Sequence, residues 1–92
     1  MRLDKTEKKA LFYAVEEIDY PVFLFGSRVD NSKKGGDIDI VILSGEKKTD
    51  IMLEVERRFL SKCEEKIDVV ILNPDDSEDR EFFHTLKKER IR

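Results

Sequence analysis

The sequence predicts a small α/β (α+β) domain: a mixed three-stranded sheet packed with helices, in the order α-β-β-α-β-α. Three observations predict it. The apolar runs VFLF (22–25), DIDIVIL (37–43) and IDVVIL (67–72) have strand length and are rich in Val and Ile. Apolar residues recur at helical spacing before the first run, between the second and third, and after the third. A helix joining the last two runs requires those strands to be parallel, with a right-handed crossover.

The first helix opens at Asp4, with Glu7 three residues later completing a capping box. Leu11, Val15 and Ile18, flanked by Phe12 and Ala14, give it one buried face and carry it to about Ile18, before Tyr20-Pro21 breaks it. The first strand, 22–25, ends at Gly26-Ser27. RVDNSKKGG (28–36) is loop by composition and short enough for strands one and two to pair antiparallel. The second strand spans 37–43. Thr49 or Asp50 caps a second long helix, in which Met52, Val55, Phe59 and Cys63 form the inner stripe. The third strand, 67–72, closes at Asn73-Pro74. PDDSED starts a last helix that holds Phe82, Phe83 and Leu86 and ends in KKERIR, where cations suit the helix dipole; Phe82 and Phe83 read as core, with an exposed partner surface the alternative for one of them.

The 92 residues form one domain, 1–92, with a single modest core. Charged residues make up 42% of the chain, yet the net charge is only -3, so both signs are interspersed and no basic footprint for nucleic acid stands out. One cysteine excludes an internal disulfide, and one histidine, His84, leaves little for a histidine-based metal cluster. No apolar run approaches the ~20 residues that span a bilayer. The expectation is a soluble, cytoplasmic protein. His84 reads as a helix-surface residue and Cys63 as packing.

Asp37, Asp39 and Asp68 interrupt the apolar strands. A carboxylate in a strand bound for a core is costly unless something neutralises it, and a bound metal ion does so. Residues two apart in a strand share a face, about 7 Å apart. Asp37 and Asp39 thus point one way, and Asp68 joins them if strand three lies beside strand two. Three carboxylates with no imidazole or thiol form a hard-oxygen set suited to Mg²⁺ or Mn²⁺. In front of them, Gly26 lets the backbone approach a phosphate, and the Ser27 hydroxyl can donate to it. Arg28, Lys33 and Lys34 are the nearest cations for a polyphosphate. Neither a Walker A ending nor G-x-G-x-x-G is present. Taken singly, Asp-x-Asp reads as a solvated turn edge, Gly-Ser as an ordinary turn, and Asp68 as the partner of a lysine such as Lys66. Their order and spacing together favour a metal-nucleotide site.

FGSRVDNSKKGGDIDIVI resembles the Gly-Ser…Asp-x-Asp signature of the nucleotidyltransferase superfamily that includes DNA polymerase beta, with Asp68 as its third acid. The small size resembles its minimal nucleotidyltransferase (MNT) branch. Val29, Asp30 and Asn31 stand where members often carry Ala-Arg-Gly. The resemblance implies a nucleotidyltransferase fold and a two-metal transfer of a nucleoside monophosphate, AMP from ATP, to an acceptor hydroxyl. Gly26 and Ser27 would hold the β/γ-phosphates, Asp37 and Asp39 both ions, and Asp68 would complete the catalytic metal site and help activate the acceptor. Minimal members resemble antitoxins paired with small helical HEPN proteins, some of which they AMPylate. A HEPN-type partner, or a further copy of the chain, is therefore expected. The competing expectation is a non-catalytic module that masks its HEPN partner, and a third is a nucleotide sensor.

Overall fold

The computed structural model describes residues 1–30, 36–46 and 48–92. Helix α1 (Lys5–Val15) starts on the expected capping box: Glu7 N donates to Asp4 Oδ1 (2.7 Å) and Asp4 N to Glu7 Oε1 (3.0 Å). It ends at Val15, short of Ile18, because Glu16 N–H already turns back to Tyr13 O. Ile18 nevertheless stays in the core.

Strands β1 (Val22–Phe25) and β2 (Ile38–Leu43) pair antiparallel, as expected from the short connection between them. Helix α2 (Lys48–Leu60) crosses over to β3 (Ile67–Leu72), which runs parallel to β2. Because α2 begins at Lys48, Thr49 and Asp50 lie inside its first turn and are not its caps, and Asp50 there faces the positive end of the helix dipole. Val22, Leu24, Ile38, Ile40, Ile42, Ile67, Val69 and Ile71 alternate along the three strands and form one buried cluster with Leu11, Ala14 and Val15 of α1 and Val55 and Phe59 of α2. Cys63, just past α2, packs into the same cluster.

Among the described residues the sheet has four strands, not three, in the order β3-β2-β1-β4. Helix α3 (Ser77–Thr85) stops before the basic tail, because Leu86 is already extended (ψ 136°). Lys88–Arg90 then forms β4, antiparallel to β1. The free edge of β1 offers main-chain donors and acceptors that a helical KKERIR would leave unpaired in the sheet; Val22 O instead receives Ile91 N (2.9 Å) and Arg92 N (3.1 Å). A short, charged strand is what a sheet edge tolerates. The cations of β4 also lie over rings, Lys88 Nζ 4.4 Å from the centre of Phe83 and Arg90 Cζ 5.8 Å from that of Phe23. Helix α3 buries no residue fully. Phe83 meets Phe23 edge-on at 5.0 Å, whereas Phe82 is 47% exposed, so the exposed alternative holds for one of the two.

One charged contact lies deep in the structure. Arg28 donates to both Glu7 oxygens at 2.9 Å, and both side chains are nine-tenths buried. Glu7→Ala leaves the guanidinium buried without its carboxylate and should cost about 3–5 kcal/mol in urea unfolding at pH 7. The Arg28 hydrogen bond holds the Glu7 carboxyl below its ordinary 4.5, outweighing the opposing effect of burial. This stabilisation is therefore full above the ordinary glutamate pKa and is lost as pH falls through the lowered one. The gap between wild type and Glu7→Ala should hold steady from neutral pH down to that ordinary value, then shrink.

Candidate active site

The parallel register of β2 and β3 sets Asp39 directly against Asp68, between the pairs Ile38–Ile67 and Ile40–Val69. Those four neighbours point into the core, so the two carboxylates share the opposite face of the sheet. The antiparallel partners extend the row: Phe25 lies opposite Asp39, and Lys88 opposite Phe25. One line across four strands thus reads Asp68, Asp39, Phe25, Lys88.

At Phe25 strand β1 ends and the chain enters a single 3₁₀ turn, Gly26–Val29. Gly26 sits at φ 77°, and a Cβ there would stand 2.8 Å from Asp39 Oδ2. The turn's main chain therefore closes directly on the carboxylate, which only glycine permits. Gly36 (φ 90°) closes on the other side, where a Cβ would come within 2.3 Å of the Ser27 hydroxyl. Gly26, Ser27, Gly36 and Asp39 form one tight corner, with Asp68 beside it.

The carboxylates of this corner disturb one another. Burial pushes the Asp39 carboxyl above its ordinary value, and the charges of Asp68 and Asp37 and a hydrogen bond with Asp68 push it further; Lys66 acts in the opposite sense. Asp37 does not share the strand geometry expected of it. Strand β2 begins at Ile38, and Asp37 lies just outside it, half-exposed, with Oδ2 3.7 Å from Lys66 Nζ. The same ammonium is 3.9 Å from Asp68 Oδ1, the ion pair that the sequence offered as the alternative for Asp68. Among the described residues, no three His, Cys, Asp or Glu side chains gather closely enough to hold a metal ion together. Asp39 and Asp68 are the adjacent hard-oxygen donors present.

Arg28 is placed differently from the phosphate-facing position expected of it. Besides Glu7, its guanidinium donates to Gly36 O (3.0 Å) and Arg2 O (3.1 Å), so it braces the turn from within. Arg2 adds bonds to Ser27 O (3.2 Å) and Asp30 O (3.3 Å). Lys33 and Lys34 lie outside the described residues. Sequence reasoning missed Glu7 and Arg2 as supports of the turn and Lys88 as a neighbour of its face. The Glu7 capping signal pointed only to α1, and Lys88 required the fourth strand.

The pattern of the family described as "Polymerase beta, Nucleotidyltransferase" matches residues 9–91, nearly the whole chain, and the chain belongs to this family. No curated protein matches it in sequence. Among the described residues, no helix is long and apolar enough to cross a membrane.

A carboxyl with a raised pKa binds its proton more tightly in the folded state, so its ionised form weakens folding as pH rises. Asp39→Asn should therefore melt at a higher temperature than wild type at pH 7, with the gain vanishing in acid where Asp39 is protonated. In Asp68→Asn, an NMR titration should find the Asp39 carboxyl shifted back toward its ordinary value.

Proposed function

We propose that this polymerase-beta-type domain is a metal-dependent nucleotidyltransferase that moves AMP from ATP to an acceptor hydroxyl, with Mg²⁺ or Mn²⁺ held by Asp39 and Asp68 and joined by Asp37. The observation that carries the reading is the in-register Asp39–Asp68 pair with the Gly26 main chain closed upon it. Two adjacent carboxylates, one pushed toward its protonated form by burial and by its neighbours, suit a hard divalent cation. When bound, such an ion supplies positive charge to phosphoryl oxygens and lowers the pKa of a coordinated oxygen.

The chain's own groups divide the remaining work. Gly26 and Ser27 offer main-chain amides and a hydroxyl to the β/γ-phosphates, with Lys33 and Lys34, which follow in sequence, as counter-charges. Arg28 positions that turn and does not contact the phosphates. Asp68, 44% exposed on the outer strand of the sheet, takes the acceptor hydroxyl proton as the new O–P bond forms and pyrophosphate departs. Beside it runs a groove of about 510 Å³ lined in part by Met52, Leu60 and Val70, which gives an acceptor an apolar approach to Asp68. A small helical protein of the HEPN type, with this chain as its antitoxin, fits that approach: Leu53 and Leu60 of α2 are both more than half exposed.

A second reading, a binding module that masks such a partner without chemistry, is favoured by one observation: Lys66 already pairs with both Asp37 and Asp68.

Incubation with labelled ATP, Mg²⁺ and the helical partner should label the partner, and Asp39→Ala or Asp68→Ala should reduce labelling at least ~100-fold, the scale set by losing an electrostatic anchor of a transition state. Equal labelling by wild type and both variants would sink the enzymatic reading. Under the second reading no label appears, and the variants bind and neutralise the partner as well as wild type. Gly26→Ala, which forces a methyl group against Asp39 Oδ2, should also reduce labelling, by ~10-fold or more, through misplacement of the turn.

A further inference from the structure

The proposed chemistry has no use for Lys66, yet its ammonium reaches oxygens from two separate segments: Asp37 Oδ2 just before β2 (3.7 Å) and Asp68 Oδ1 within β3 (3.9 Å). Its main chain is anchored, since Ile38 N donates to Lys66 O (3.5 Å), whereas its side chain is 70% exposed. An ammonium this exposed, at these distances, makes a weak pair that exchanges readily with other cations.

We propose that Lys66, paired with Asp37 and Asp68, competes with a divalent cation for these carboxylates, so that Lys66 sets the affinity of the acid corner for metal. The proposal rests on the reading of Asp39 and Asp68 as metal ligands. From its place between them the ammonium offsets the charge of both Asp37 and Asp68. A divalent ion brings twice the charge and accepts several oxygens at once, which a single ammonium on a flexible stem cannot match. With a divalent ion held by Asp39 and Asp68, Lys66, 70% exposed, would turn into water and release Asp37 and Asp68 together.

The test is a calorimetric titration of the full chain with Mn²⁺ at low ionic strength and without nucleotide. Lys66→Gln should bind Mn²⁺ roughly tenfold more tightly than wild type, the scale expected for removing one charge about 5 Å from a divalent ion in a water-like dielectric. Lys66→Arg, which keeps the charge, should stay within about twofold of wild type, and the gap between Gln and wild type should narrow in about 0.5 M KCl. The gain should be absent when Lys66→Gln is combined with Asp68→Asn. Equal or weaker Mn²⁺ binding by Lys66→Gln overturns the proposal. If that result comes with binding that Asp39→Ala and Asp68→Ala abolish, the metal-site reading stands and only the competition falls. If neither wild type nor Lys66→Gln binds Mn²⁺, both fall together.

Discussion

The in-register pairing of β2 with β3 is the constraint on which the rest of the structure depends. Ile38, Ile40 and Ile42 on one strand and Ile67, Val69 and Ile71 on the other must all face the helices, and a strand's side chains alternate with a period of two. A slip of one residue would turn Asp39 or Asp68 into the core, so the apolar pattern fixes the register tightly. The meeting of two carboxylates is therefore a by-product of hydrophobic alternation. Once they are side by side, their repulsion has to be answered locally. Lys66 answers it from solvent, and the Gly26 main chain covers Asp39 from the end of β1.

A second constraint holds that cover in place. The Glu7 carboxylate accepts the Asp4 amide to start α1 and also receives the Arg28 guanidinium, which in turn reaches Gly36 O. The Glu7–Arg28 pair thus joins the first turn of α1 to the 3₁₀ turn and to Gly36. A buried ion pair of this kind adds little net stability over an apolar pair of the same shape, but it dictates geometry, because neither charge tolerates another arrangement. The turn is accordingly set by α1 and not by the sheet alone. That division lets the sheet follow its hydrophobic register while the loop follows its own partners.

Most of the architecture was legible in the sequence, because it is written in local and periodic signals. The capping box at Asp4 and Glu7, strands 22–25 and 67–72, the antiparallel pairing of β1 with β2 and the parallel pairing of β2 with β3 all follow from spacing and connection length. The features that were not legible depend on contacts distant in sequence. KKERIR has the charge of a helix end, and only the unpaired edge of β1 makes Lys88–Arg90 a strand. Arg28 follows Gly-Ser and so reads as a phosphate contact, whereas its partner is Glu7, 21 residues earlier. Asp37 reads as a strand residue in line with Asp39, but β2 starts one position later and leaves it to Lys66. In each case the residue type was noticed and its partner was not.

The fourth strand also changes the electrostatics of the acid-bearing face. A net charge of -3 spread over a chain that is 42% charged says nothing about local fields. Through β4, the face carrying Asp39 and Asp68 gains Lys88 opposite Phe25 and Arg90 opposite Phe23. The face is therefore negative at β3 and β2, aromatic at β1 and positive at β4. Lys88 does more than add charge, since its ammonium also caps α3 through the carbonyls of Phe83 (3.1 Å) and Leu86 (3.3 Å). The end of α3, the start of β4 and the positive edge of the face are thus held by one side chain.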